Sequence, residues 1–192
     1  MIKAFELKEK GYYKQAIEIF YKLLAKENDN IEILSELGCI YLLLNNYDRA
    51  IHYTQKALDI DSNHINSLMT LRDIYTKQKK YNEAGKIANK IYIITNSQTD
   101  LYEFLKLLNS QQKYNEVTGF ADFIQSENVA GEIAFAYYKL QKFEDAINTL
   151  KPFTDNNNNP KLQDLLCKIY FETKQTDKAK EVLIKLENNN TN

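Results

Sequence analysis

The sequence predicts an all-α fold, a solenoid of about six helix-turn-helix hairpins, and three observations carry that prediction. Only 5 Gly and 2 Pro stand among 192 residues, too few for long irregular loops. No strand-like alternation of apolar and polar residues persists beyond a few positions. An alanine recurs at Ala16, Ala50, Ala84, Ala146 and Ala179, with Val117 in the remaining slot, at steps of 34, 34, 33, 29 and 33 residues.

The clearest unit is the stretch from Ile31 to Asn63. Leu34, Leu37, Gly38 and Tyr41 fall at helical spacing, so a first helix presents two apolar side chains, an aromatic and a gap that admits a neighbour. Asn45 and Asn46 then favour a turn, because their side chains bond nearby backbone and tolerate left-handed conformations. A second face follows in Tyr47, Ala50, Ile51, Thr54, Ala57 and Leu58, and the two alanines let the helix axes lie close.

The other units repeat this pattern in order, over 1–30, 31–64, 65–97, 98–127, 128–159 and 160–188, with 189–192 expected as a disordered tail. Three residues before each alanine slot stands Tyr13, Tyr47, Tyr81, Tyr114 or Phe143, with Thr176 the exception, and this residue is expected to start each second helix. Twelve residues before each slot comes a first-helix position that is small in Ala4, Gly38, Ala134 and Cys167. Arg72 and Leu105 depart there, so the packing of hairpins three and four is expected to be looser or shifted. Three positions further on stand Leu7, Tyr41, Tyr75, Leu108, Tyr137 and Tyr170. The run TDNNNNP from Thr154 to Pro160 reads as the loop before the last hairpin.

A hairpin repeating near 34 residues with this small-and-aromatic signature resembles the tetratricopeptide repeat family. The resemblance covers the whole chain, although no repeat has the family's tryptophan or its closing proline, Ser62 holding the proline slot. It implies a right-handed solenoid whose inner wall is lined by the first helix of each pair and binds a protein or peptide partner. It also implies inward-facing residues, among them Phe5, Cys39, Leu42, Leu43, Met69, Asp73, Tyr102, Lys106, Phe135, Tyr138, Lys139 and Phe171. Several are large and apolar, as a partner groove requires. The family's carboxylate clamp, which grips acidic chaperone tails, is absent from the candidate frames. Glu36, Asp73, Glu103 and Glu132 near that wall are expected to repel an acidic partner and favour an apolar or weakly basic one.

Other classes find little support. Lys plus Arg is 25 against Asp plus Glu 26, a net charge of -1, which gives no global pull toward nucleic acid or anionic lipid. The basic run Lys77 to Lys80 lies at a hairpin turn, and no nucleic-acid partner is expected. No apolar run approaches the roughly 20 residues of a membrane helix. The N-terminus lacks a signal-peptide core, so a cytoplasmic location without membrane insertion is expected. Cys39 and Cys167 read as unpaired, and His52 and His64 have no ligand set around them. Without a phosphate loop, nucleophile elbow or zinc helix, no enzyme activity, metal or cofactor is expected. Val182, Leu183, Ile184 and Leu186 follow the last repeat's turn with no next helix to cover them. Self-association as a homodimer through this C-terminal hairpin, or a place in a larger enzyme complex, therefore stand as alternatives to a groove-binding scaffold.

Overall fold

The computed structural model describes residues 1–154 and 159–190. All regular structure among them is helical, and the expected all-α hairpin fold is what forms. Met1–Thr95 and Asn96–Asn192 make two compact units. In the first unit α1 (Ile2–Glu9) pairs with α2 (Tyr13–Leu24), α3 (Ile31–Leu43) with α4 (Tyr47–Ile60), and α5 (Ile65–Lys77) with α6 (Tyr81–Thr95). In the second, α7 (Gln98–Ser110) pairs with the short α8 (Tyr114–Thr118), α9 (Glu127–Lys139) with α10 (Phe143–Thr154), and α11 (Pro160–Glu172) with α12 (Thr176–Asn190).

Each second helix begins on the residue that the spacing marks, from Tyr13 to Thr176. Caps fix several first helices: the Asn30, Ser97, Ser126 and Asn159 side chains each accept a backbone N–H of the following turn. All six slot residues, Ala16, Ala50, Ala84, Val117, Ala146 and Ala179, are fully buried. Around them unit 1 builds a core with Phe20, Ile33, Leu37, Ile40 and Ile74, and a smaller one with Leu58, Leu68, Leu71 and Ile91. Unit 2 builds its own from Leu150, Leu166, Ile169 and Tyr170. Each such side chain withdrawn from water stabilises its hairpin by about 1.5–3 kcal/mol.

The turn inside each hairpin is the same device six times. One residue takes a left-handed conformation, namely Gly11, Asn45, Lys79, Gln112, Gln141 and Lys174, with φ of 79°, 55°, 59°, 59°, 59° and 60°. The next residue's N–H then reaches back to the carbonyl of Leu7, Tyr41, Tyr75, Leu108, Tyr137 or Tyr170 at 2.8–3.0 Å. These bonds satisfy carbonyls that the helix end leaves open. A left-handed L-residue costs about 1–2 kcal/mol, while glycine's extra chain entropy costs about 0.5–1 kcal/mol. Lys79→Gly, Gln112→Gly and Gln141→Gly should therefore each stabilise by roughly 0.5–1 kcal/mol, read as a higher urea midpoint with an unchanged slope.

Hairpin four is the irregular one. Leu105 occupies a position that is small in four other repeats, and it is completely buried. Its partner helix α8 stops after five residues and gives way to a 3-10 turn at Ala121–Phe123, where Phe120 meets Phe104 edge-on at 5.8 Å. This truncation accounts for the 29-residue step. Arg72, the other departure, turns its guanidinium to Asp73 at 2.9 Å. Helix α12 continues to Asn190, through the first part of the expected tail. Residues 155–158, the middle of the expected asparagine loop, and 191–192 lie outside the described residues.

Candidate functional site

Within unit 2, Asn128, Gly131, Glu132, Phe135, Tyr138 and Lys139 recur at helical spacing and so share one side of α9. On α11 the same holds for Lys161, Asp164, Leu165 and Lys168. These two sides, with Leu162 and with Tyr102 of α7, wall a groove of about 560 Å³. Gly131 lets α11 approach: a Cβ there would come within 2.8 Å of Leu162 Cδ2. The Tyr138 hydroxyl donates to Glu172 Oε1 at 2.5 Å and ties α9 to α11. That bond to a carboxylate, helped by burial, raises the Tyr138 pKa, so the phenol stays a donor.

The lining combines aromatic and cationic groups. Lys139 Nζ stands 5.3 Å from the Phe135 ring centre and 5.5 Å from that of Tyr138. Asn109 on α7 donates to the Glu132 carboxylate at 2.7 Å and to its backbone carbonyl at 3.0 Å. Burial pushes the Glu132 pKa up, against the pull of Asn109 and Lys106. A carboxyl whose folded pKa is raised binds its proton more tightly in the folded state, so its contribution to stability is present at acid pH and lost as pH rises through the folded value. Glu132→Gln keeps an acceptor for Asn109 and removes the buried charge. Its unfolding midpoint should exceed that of the parent at pH 7, and the difference should close as the pH falls through the carboxyl's titration.

Of the twelve residues expected on the inner wall, Tyr102, Phe135, Tyr138 and Lys139 share this groove. Lys106 is exposed, 3.1 Å from Glu103 and 5.2 Å above the Tyr102 ring centre. Phe171 stands 51 % exposed on the last turn of α11. The other six lie in unit 1. Phe5 packs edge-on against Phe20 at 5.5 Å, and Met69 packs against the smaller core. Cys39 is half-buried in α3, and burial pushes its thiol pKa up despite Lys8 nearby. Asp73 carries the Arg72 ion pair. Leu42 departs from expectation: at 7 % exposure it belongs to the unit 1 core, whereas its neighbour Leu43 is 50 % exposed. One residue is 100° of helix, enough to turn Leu42 inward.

Each acid of the wall expected from the sequence has a local partner, a cation for three of them and an amide for Glu132. Glu36 meets Lys8 at 2.6 Å, Asp73 meets Arg72, Glu103 meets Lys106, and Glu132 accepts from Asn109. Burial pushes the Lys8 pKa down, but the hydrogen bond to Glu36 and the charges of Cys39 and Glu36 together outweigh it and the net shift is upward.

Two features escape a reading of the sequence alone. Leu162 and Leu165 floor the groove, and the one available signal is Gly131 at an inward position, which marks where a neighbouring side chain must enter. In unit 1, Tyr21, Tyr41 and Tyr53 gather their hydroxyls at 2.5 and 3.1 Å, and Arg49 Nη1 donates to Tyr41 at 3.0 Å. This network joins α2, α3 and α4, and no short motif announces it.

Among the described residues no group of three His, Cys, Asp or Glu side chains is arranged to hold a metal ion. None of the helices among the described residues is long and apolar enough to cross a membrane. A family model for anaphase-promoting complex, cyclosome, subunit 3 matches residues 9–91. The solved structure of YrrB, described as a TPR protein with an unusual peptide-binding site, aligns over 88 % of this chain and 91 % of its own with a TM-score of 0.70 and 15 % identity. The chain has the fold of tetratricopeptide repeat proteins. The same fold recurs in pilF of Pseudomonas aeruginosa, at 16 % identity over 96 % of this chain and 87 % of that one, with a TM-score of 0.71. A tetratricopeptide repeat protein from Parabacteroides merdae aligns at 18 % identity over 96 % and 75 %, with a TM-score of 0.58. Among curated proteins, none matches this chain by sequence.

Proposed function

We propose that this protein is a non-catalytic scaffold or adaptor that captures a peptide segment of a partner in the groove walled by α7, α9 and α11. The observation that carries the reading is the meeting of Tyr102, Phe135 and Tyr138 with Leu162 and Leu165 around one groove of about 560 Å³. Such a volume suits a few side chains, and an aromatic and aliphatic floor with polar edges is the composition that binding grooves favour. YrrB, which has this fold and an unusual peptide-binding site, supports the same assignment. Phe171 and Lys106 extend the surface at its rim, and Phe5, Cys39, Leu43, Met69 and Asp73 form the corresponding surface of unit 1. Leu42 supports it from beneath. The free thiols of Cys39 and Cys167 suit a reducing, cytoplasmic setting.

Selection on the immobilised full chain from a phage-displayed library of random dodecapeptides tests the reading. Recovered peptides should compete with one another for a single site; recovery of none would overturn it. A second reading, self-association, is favoured by Leu183 and Ile184, 38 % and 57 % exposed on α12. Sedimentation of the full chain at increasing concentration would then show a rising apparent mass.

A further inference from the structure

The charges around the unit 2 groove divide unevenly into satisfied and unsatisfied groups. Every nearby carboxylate has a partner: Asp164 accepts from Lys168 at 2.6 Å, Glu103 from Lys106 at 3.1 Å, Glu132 from Asn109 at 2.7 Å, and Glu172 from Tyr138 at 2.5 Å. Two ammonium groups on the wall do not. Lys139 touches only aromatic rings, and Lys161 meets no carboxylate among the described residues. Lys139 closes α9 and Lys161 opens α11. Gly131 faces Leu162 near the start of both helices, and Tyr138 meets Glu172 near the end of both, so α9 and α11 run side by side in the same direction. The two free ammonium groups therefore stand at opposite ends of the furrow, with the apolar floor between them.

We infer that the groove takes a peptide segment with an apolar centre and a side-chain carboxylate on each flank, one for Lys139 and one for Lys161. This rests on the reading of the groove as a peptide site and reverses the weakly basic preference that the sequence suggests. The spacing follows from helix geometry. From the level of Ala130, one residue before the Gly131 that faces Leu162, to Lys139 is about 13 Å at 1.5 Å per residue, which an extended peptide spans in about four residues. An acid, about three residues centred on a large apolar side chain, and a second acid fit that length. Lys139 is held over two rings before binding, so less of its freedom remains to be lost when the carboxylate arrives.

The selection on random dodecapeptides tests this as well. The recovered sequences should share two acidic positions about four residues apart around an aromatic or large aliphatic residue. A fluorescein-labelled consensus peptide should bind about fivefold more weakly to Lys139→Gln and to Lys161→Gln, because rim charges contribute modestly. Amidating its C-terminus should change nothing, which separates side-chain carboxylates from a terminal one; dependence on the free terminus would overturn the assignment. Circular dichroism of both variants should match the parent. Recovered peptides that are neutral or rich in Lys and Arg, or binding indifferent to both lysines, would overturn this inference while leaving the groove intact. Recovery of no peptide would overturn the groove itself.

Discussion

Gly38→Leu should lower the stability of unit 1 by about 3 kcal/mol, at the upper end of what overpacking costs, read as a lower urea midpoint by circular dichroism. The reason lies in where a side chain would go. A Cβ on Gly38 would run into Thr54 Oγ1 of α4, with Thr54 N at 3.3 Å and the Ala50 carbonyl at 3.5 Å. Two of those three atoms are backbone, and Thr54 is fully buried and β-branched, so neither it nor α4 can move aside cheaply. Even Gly38→Ala, which gains about 1 kcal/mol in helix propensity, should lose more than that to the clash. Gly131→Ala makes the contrast. Its Cβ would meet only Leu162 Cδ2, the far end of a flexible side chain, so the propensity gain of about 1 kcal/mol should offset the crowding and leave stability nearly unchanged. Two glycines, each facing a neighbouring helix, are thereby expected to respond with different signs or sizes for a reason that is local to each.

Tyr138→Ala should weaken capture of a selected peptide by about thirtyfold, equivalent to about 2 kcal/mol, as expected of an anchoring aromatic. Tyr138 serves the groove in three ways. Its ring walls the groove, its face holds Lys139 at 5.5 Å, and its hydroxyl fixes α9 to α11 through Glu172. Truncation removes all three together. Ile184→Ala, at an exposed position on α12, should leave capture unchanged and serves as the control. Fluorescence anisotropy on the full chain reads both.

The hairpin architecture is legible in the sequence because helix packing restricts residue size at fixed intervals. The alanine slots from Ala16 to Ala179 lie at zero exposure, and the residues that precede them by three open the second helices. Even the left-handed turn residues repeat at the alanine steps, although only Gly11 and Asn45 have the chemistry that announces such a turn. Lys79, Gln112, Gln141 and Lys174 adopt it because the helices on either side demand it. The truncation of α8 is not written locally, since Tyr114 and Val117 look like the start of an ordinary second helix. Only the shortened step of 29 residues before Ala146 hints at it.

The groove is legible in part, for a related reason. The family resemblance implies inward positions on each first helix, and four of the residues at such positions, Tyr102, Phe135, Tyr138 and Lys139, line the groove. Leu42 and Leu43 show its limit, because a few tens of degrees decide which of two adjacent leucines is buried. Pairing is harder still. Glu36 looks like a free acid until α1 brings Lys8 to 2.6 Å, a partner 28 residues away that no local pattern names. The partner chemistry read from isolated charges therefore changes once tertiary contacts neutralise some of them.

The most direct test is a methyl NMR titration of the full chain with the selected peptide. Binding in the furrow between α9 and α11 should shift the methyl resonances of Leu162 and Leu165 and leave those of Leu183 and Ile184 on α12 in place. Shifts at Leu183 and Ile184 with Leu162 and Leu165 unmoved would contradict the account.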